Sequence, residues 1–311
     1  MYRDLRIVVA IPAYRAEKTI ADVVQTLPAF VDSVIVVDDC SPDRLFEVAS
    51  ALEEPRLILL RHEKNKGVGG AMVTAYERAL ELGCDIVVKM DADGQMDPER
   101  LSELLDAMLN GNYDYAKGNR FLHRGALAAM PRHRLLGSLA LTFMTKMASG
   151  YWHIFDPQNG FVACRTVMLQ RLELWRIAND YFFENDMLVH LNVLGARVVD
   201  VPLPARYANE VSSMRISRIL TSFPGRLFHR YWWRIYQRYT LRDFSPIVPF
   251  LISGILLCAW AIVFGGVMWF RSWQTGVVAS TGTVMLTALP LILGFELLLH
   301  AMLLDIYSTP R

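Results

Sequence analysis

Asp85-Ile86-Val87-Val88-Lys89-Met90-Asp91-Ala92-Asp93-Gly94-Gln95 is the stretch on which the reading of the fold turns. Asp85–Met90 reads as a strand buried on both faces, the pattern of a parallel sheet covered by helices. Two carboxylates then follow, separated by one residue. On an extended segment, side chains at i and i+2 point the same way, so Asp91 and Asp93 can converge on one cation. Hard cations such as Mg²⁺ or Mn²⁺ take oxygen ligands and bridge readily to diphosphates. Open α/β sheets bind their ligands at the carboxyl ends of the strands, where this pair falls. The stretch therefore predicts a metal–diphosphate enzyme, with Asp91, Asp93 and Gln95 as candidate metal residues.

Working outward, strands and helices alternate. Ile7–Ile11, Val34–Val37, Leu57–Leu60 and Asp85–Met90 read as strands; Glu17–Leu27, Leu45–Leu52, Gly69–Leu82 and Pro98–Leu109 read as helices. Pro98 suits a helix first turn. Alternation of this kind predicts a mostly parallel, doubly wound, Rossmann-like α/β sheet. Further on, Leu135–Met147 and Tyr181–Leu194 read as helices, Val162–Cys164 and Arg197–Val201 as strands, and Arg206–Ser213 as a polar loop.

The 311-residue chain is 53% hydrophobic with a mean hydropathy of +0.25, more apolar than a soluble α/β enzyme requires. The excess lies at the C-terminus. Ile247–Phe270 is a run of 24 uncharged residues, and Thr283–Leu304 has 22 with Glu296 as its one acid. Each exceeds the roughly 20 residues needed to cross a bilayer. Only Arg271–Gly282 separates them, so a transmembrane helical hairpin is expected. Just before it, Val211–Arg242 carries seven arginines and no acid. Arg226, Arg230, Arg234, Arg238 and Arg242 recur every four residues, interleaved with aromatics, and read as interfacial helices at the headgroup level. These arginines place the catalytic domain and both termini in the cytoplasm, with a bacterial inner membrane as the expected setting. The expected division is 1–210 catalytic, 211–246 interfacial and 247–311 membrane-spanning. The net charge of +1 argues against a polyanionic partner, so no nucleic acid is expected. The four scattered cysteines suggest neither zinc nor a disulfide framework. Glu296 and His300 stand four apart inside the second apolar run, a mutual pair or an oligomer contact; a homo-oligomer stays open.

Asp38 and Asp39 close the second strand, where a carboxylate can accept from a base N–H or from ribose hydroxyls. Asn65-Lys66-Gly67-Val68-Gly69-Gly70-Ala71 is a glycine-rich turn entering a helix, suited to a phosphate or to a nearby carboxylate. It is not GxGxxG and follows the third strand, which excludes a dehydrogenase. Lys117, Arg120, Arg124, Arg132 and Arg134 form a basic stretch with side chains suited to phosphate.

Taken in order, Ile11-Pro12-Ala13-Tyr14, Val37-Asp38-Asp39-Cys40-Ser41, Asn65–Ala71, Asp91–Gln95, Gly118-Asn119-Arg120, Asp156-Pro157-Gln158-Asn159-Gly160-Phe161 and Glu184-Asn185-Asp186 resemble the motifs of inverting, GT-A-fold glycosyltransferases of family 2. With the C-terminal hairpin, the chain most resembles the polyprenyl-phosphate (dolichyl- or undecaprenyl-phosphate) glycosyltransferases. The resemblance implies a UDP- or GDP-linked nucleotide sugar as donor and a polyprenyl phosphate in a membrane as acceptor. It implies donor contacts at Pro12, Ala13, Tyr14, Asp39, Gly67, Asp91 and Gln95, and a metal, Mg²⁺ or Mn²⁺, at Asp93 with Asp91 near the sugar or ribose. Arg120 and Arg134 are implied for the acceptor phosphate, grouped with Arg206 and Arg215 in a loop that closes over the diphosphate. The segment Ser212-Ser213-Met214-Arg215 departs there from the commoner Gly-x-Ser-Lys. Asp93, Arg120 and Asp186 are the implied catalytic residues. Asp186 corresponds to the general base of members with hydroxyl acceptors; a phosphate acceptor is already ionised, so Asp186 could orient the acceptor or hold an arginine instead. A transferase acting on a hydroxyl of a lipid-linked saccharide stays open, as does a processive polysaccharide synthase, although the latter normally carries Gln-x-x-Arg-Trp and more membrane helices.

Overall fold

The computed structural model of the chain describes residues 1–120, 132–203 and 216–310. Among them, strands β1 (Ile7–Ala13), β2 (Ser33–Asp38), β3 (Leu57–Arg61), β4 (Ile86–Lys89), β5 (Tyr115–Asn119), β6 (Val162–Arg165) and β7 (Val198–Pro202) form one sheet in the order β3-β2-β1-β4-β6-β5-β7. β1 pairs in parallel with β2 and β4, β2 with β3, and β5 with β7. β6 runs antiparallel between β4 and β5, so the sheet is mixed rather than wholly parallel.

Strand alternation divides the apolar residues between two cores. Ile7, Val9 and Ile11 of β1, Val34 and Val36 of β2, and Ile86 and Val88 of β4 face one core, which is covered by helices α1 (Ile20–Gln25), α2 (Leu45–Ser50) and α4 (Leu101–Asn110). Val8, Ala10, Ile35, Val37 and Val87 face the other, under α3 (Gly67–Glu81), α6 (Thr166–Arg171) and α7 (Phe183–Val193). Ile7, Ile11 and Ile35 are fully buried, and truncating any one to alanine costs about 2–5 kcal/mol. The expected helix over Pro98–Leu109 begins instead as a 3₁₀ turn, Pro98–Arg100, where the Asp97 side chain accepts from Glu99 N. α5 (Arg132–Ser149) and α8 (Ile216–Tyr236) complete the set before the C-terminal hairpin.

The chain divides into two compact units, Met1–Trp232 with Pro310–Arg311, and Trp233–Thr309. In the second unit, α9 (Ile247–Thr275) and α10 (Thr281–Tyr307) are long and apolar enough to cross a membrane. Small residues let their backbones approach. A Cβ on Gly254 would lie 2.9 Å from the carbonyl of Gly294, and one on Gly294 would lie 2.8 Å from Cys258 Sγ. His300 Nδ1 lies 2.9 Å from the carbonyl of Glu296 one turn earlier, not at its carboxylate. A buried ion pair ties the segment before α9 to the last turn of α10. Arg234, with no exposed surface, donates from Nη1 and Nη2 to Asp305 at 2.7 and 2.9 Å, and Tyr239 Oη donates to the same carboxylate at 2.7 Å.

Candidate active site

The sheet register brings the candidate donor residues to one edge. Ala13 at the end of β1 sits opposite Asp38 at the end of β2, and Asp39 N donates to the Ala13 carbonyl at 2.9 Å. Ala10 is opposite Lys89 of β4, which brings Asp91 and Asp93 to the same end. Thr19 Oγ1 donates to the Ala92 carbonyl at 2.6 Å and ties the β1–α1 connection to the acidic turn. Pro12 and Ala13 are buried, whereas Tyr14 is exposed and stacks under Arg15.

The two acids of β2 divide their work. Asp38 is buried, accepts from Ser41 N at 2.8 Å and pairs with Arg61 at 3.2 Å; burial raises its pKa against these partners. Asp39 accepts from Lys66 N at 2.8 Å, from Gly67 N at 2.7 Å and meets His62 Nδ1 at 2.7 Å. Of the two partners open to the glycine-rich turn, it takes the carboxylate: Asp39 closes the N-terminal turn of α3. Three of its about four lone-pair positions are thereby used, so it shapes the turn.

The glycines have a packing reason as well. Gly67 holds φ +85°, and a Cβ there would lie 2.5 Å from the Asn179 carbonyl. A Cβ on Gly69 would lie 2.9 Å from Asn179 Cα. Only a residue without a side chain lets the Ala178–Asn179 backbone reach the turn, and Gly70 N donates to the Asn179 carbonyl at 3.0 Å.

Asp91 is not alone. Lys89 Nζ, 1% exposed, lies 2.5 Å from Asp91 Oδ1 and 3.2 Å from Glu184 Oε1. Burial works against its charge, but the two carboxylates outweigh it and its pKa is raised; burial raises that of Glu184 despite Lys89. Neither residue was assigned a role from sequence. The available signal was a lone lysine inside an apolar strand, because a buried lysine needs partners. Gly160 completes the contact, since a Cβ there would lie 2.7 Å from Asp91 Oδ2. Asp93 Oδ1 accepts the Gln95 backbone N–H at 3.0 Å, and the side chains of both lie partly exposed. No group of three His, Cys, Asp or Glu among the described residues forms a closed metal cage. Two partly exposed carboxylates are the donor set of a cation that completes its shell with substrate phosphates and water, so the residues fit Mg²⁺ or Mn²⁺ of that kind.

Arg120 makes a bidentate pair with Asp156, Nε and Nη2 each donating at 2.7 Å. Burial opposes the Asp156 charge, yet Arg120 and Lys117 overcome it and its pKa is lowered. Lys117 is itself buried, donating to the carbonyls of Gly118 and Asp156; burial lowers its pKa. Asn119 Nδ2 donates to Asp200 at 2.7 Å. Asn159 Oδ1 accepts from Phe161 N at 3.0 Å and so shapes its own loop. The Gln158 amide nitrogen has no partner among the described residues.

Asp186 is fully buried, with Arg230 Nε 2.7 Å from Oδ1 and Nη2 donating to Oδ2 at 2.8 Å, while Ala178 N donates to Oδ2 at 2.9 Å. Burial raises its pKa and Arg230 works against the rise. Of the two roles open to it, the geometry shows the holding of an arginine. The basic stripe is inward-turned to match. Arg226 pairs with Asp180 at 2.6 Å, Arg230 with Asp186, Arg234 with Asp305, and Arg238 donates to the Ser308 carbonyl at 2.6 Å. Four of the five arginines read from sequence as a stripe at the headgroup level are thus engaged within the protein, and Arg242 is exposed. Arg134 falls in the first turn of α5, where side chains lie outside those described; Arg124, Arg206, Ser213 and Arg215 lie outside the described residues altogether. Arg132 opens the same helix.

A mixed, mostly parallel sheet with paired acids at its carboxyl edge, beside a carboxylate-closed glycine turn, defines a GT-A-like transferase fold. The glycosyl transferase family 2 model matches residues 8–172, and the chain belongs to that family. It is 32% identical over 242 residues to the UDP-N-acetylglucosamine–dolichyl-phosphate N-acetylglucosaminyltransferase of Methanococcus voltae, covering 73% of this chain and 95% of that one. It is 32% identical over 204 residues to the undecaprenyl-phosphate mannosyltransferase of Micrococcus luteus, covering 64% and 83%. Glucosyl-3-phosphoglycerate synthase from Mycobacterium tuberculosis, solved with Mn²⁺, UDP-glucose and phosphoglyceric acid, superposes with a TM-score of 0.55 at 20% identity, over 74% of this chain and 80% of that one, which shows the fold.

Proposed function

We propose that the chain transfers one sugar, with inversion, from a UDP- or GDP-linked donor to a polyprenyl phosphate at the cytoplasmic face of a membrane. The observation that carries this is the Asp91/Asp93 pair at the carboxyl edge of β4, beside the Asp39-closed turn, in a family 2 chain that ends in two apolar helices. The names of the two relatives support the acceptor class, since both act on polyprenyl phosphates. α9 and α10 would hold the enzyme in the membrane that carries its acceptor.

In this reading Pro12, Ala13, Tyr14, Asp39, Gly67 and Gln95 bind the nucleotide sugar, and Asp91 and Asp93 hold Mg²⁺ or Mn²⁺. The bound cation supplies charge neutralisation to the departing diphosphate. Arg120 orients the acceptor phosphate with its half-exposed guanidinium, assisted by Arg134, Arg206 and Arg215, while the Gln158 amide donates to a sugar hydroxyl. A phosphate oxygen then attacks the anomeric carbon as the bond from that carbon to the diphosphate oxygen breaks. The nucleophile is already anionic, so no base takes a proton. The enclosure of Asp186 under Arg230 favours this acceptor over a hydroxyl, which would need that base.

The test is a panel of nucleotide sugars incubated with membranes containing the chain and a polyprenyl phosphate, with the lipid read by mass spectrometry. One sugar should be added per lipid phosphate, with release of the nucleoside diphosphate. Addition of a growing series of sugars, or transfer only to a lipid-linked saccharide, would refute the reading.

A further inference from the structure

The segment from Ala178 to Asp186 is gripped from two sides, both within the Met1–Trp232 unit. On one side lies the glycine turn, where Gly70 N donates to the Asn179 carbonyl at 3.0 Å and the lack of side chains at Gly67 and Gly69 admits the Ala178–Asn179 backbone. On the other lies α8. Its Arg226 pairs with Asp180 at 2.6 Å and its guanidinium carbon sits 4.2 Å from the Phe182 ring centre. Phe223 packs edge-on against Phe182 at 5.2 Å. Arg230 donates to the Arg176 carbonyl at 3.2 Å and closes on Asp186, whose own carboxylate accepts from Ala178 N.

One ion pair therefore stands behind the backbone on which the glycine turn rests, and that turn is what Lys66 N and Gly67 N hold against Asp39. We infer that Asp186 and Arg230 are positioning residues for the donor: their ion pair seats Ala178–Asn179 against Gly67–Gly70 and so fixes the Asp39 turn. The inference rests on the nucleotide-sugar reading given above. Its physical basis is the cost of an unpaired buried charge. Without Arg230, the Asp186 carboxylate is left buried without that cation, and the site must relax around it, Ala178 included, because its N–H donates to the same carboxylate. The glycine turn then loses its backing, while Asp93 and Arg120, whose partners Gln95 and Asp156 lie outside the segment, keep theirs. A general base at Asp186 would behave differently, because its loss would slow the chemical step and leave donor binding intact.

The experiment uses the full chain in detergent, titrated calorimetrically with UDP and with GDP in the presence of Mn²⁺, alongside steady-state kinetics. Arg230→Met should weaken the nucleotide that the wild type binds by at least about tenfold, within the range of couplings carried by contiguous packing. Donor KM should rise by the same factor while acceptor KM holds. Arg230→Lys, which keeps the charge but only part of the fork, should fall between. Gly69→Ala pushes the same backbone from the other side and should reproduce the donor-affinity loss; Arg230→Lys decides the matter if Arg230→Met does not fold. Unchanged nucleotide affinity in folded variants, or a fall in kcat at constant donor KM, would overturn the inference alone. Binding of neither nucleotide by the wild type would overturn the functional reading and the inference with it.

Discussion

Replacing Lys89 by methionine removes the cation from a buried three-residue cluster while keeping side-chain length. Lys89 is 1% exposed, with Asp91 at 2.5 Å and Glu184 at 3.2 Å. With an effective dielectric of about 20, these attractions are worth about 7 and about 5 kcal/mol. Withdrawing each ion from water offsets several kcal/mol of that sum, and the two carboxylates repel one another. What the variant leaves behind decides the result: Glu184, nearly enclosed, has no cation, and deletion of one partner of such a pair costs about 3–5 kcal/mol. For a unit of this size, at about 2–4 °C per kcal/mol, the unfolding midpoint of the detergent-solubilised chain should fall by roughly 6–20 °C. Lys89→Met/Glu184→Gln should recover part of that loss, because the second carboxylate is then neutral. A midpoint within about 2 °C of wild type for the single variant would mean that the cluster carries no net charge compensation, and the account of Asp91 as a held carboxylate would fail.

Three further outcomes follow from the same geometry. Asp93→Ala should cut kcat at least about 10²-fold with the chain still folded, measured at saturating donor and Mn²⁺, and chelation of the metal should mimic it in the wild type alone. Gly160→Ala forces a methyl against Lys89 Nζ and to 2.7 Å from Asp91 Oδ2, so the unfolding midpoint and donor turnover should both fall. His190 is 5% exposed, and burial, then Arg230 and Arg176, push its pKa from 6.5 down to about 4. The unfolded chain therefore binds the proton first, and stability is full above pH 6.5 and is lost as pH falls toward 4, by about 3 kcal/mol from this group. In His190→Gln the fall in midpoint over that window should be correspondingly shallower.

The α/β part of the fold was legible because its strands are apolar on both faces. Val34–Val37 and Ile7–Ile11 could hardly be anything else, and the observed strands differ from the expected ones by a residue or two. β5 is the contrast. Tyr115-Ala116-Lys117-Gly118-Asn119 carries a lysine and an asparagine, yet all five residues are buried. Their polar atoms are met by Asp156 and Asp200, far along the chain, as well as by the neighbouring Gly118 carbonyl, and no local pattern announces the distant pair. The antiparallel β6 is hidden for a related reason, since four residues say nothing about direction. At the candidate site the acidic pairs were legible because their spacing is chemical. The arginine stripe was legible as a helix, but its partners within the protein were not. Periodicity gives the side on which Arg226 and Arg230 lie, but only Asp180 and Asp186, more than forty residues upstream, reveal that this side is turned inward.

The buried fork between Arg234 and Asp305 also sets an order of assembly. The guanidinium is made 71 residues before the carboxylate that neutralises it, with both apolar helices synthesised in between. It cannot be buried at low cost until the ribosome has passed position 305, because enclosing it alone is strongly unfavourable. The hairpin is thus locked by its last turn, and a chain cut short just before Asp305 would keep every apolar residue of α9 yet lack the charge that closes the lock.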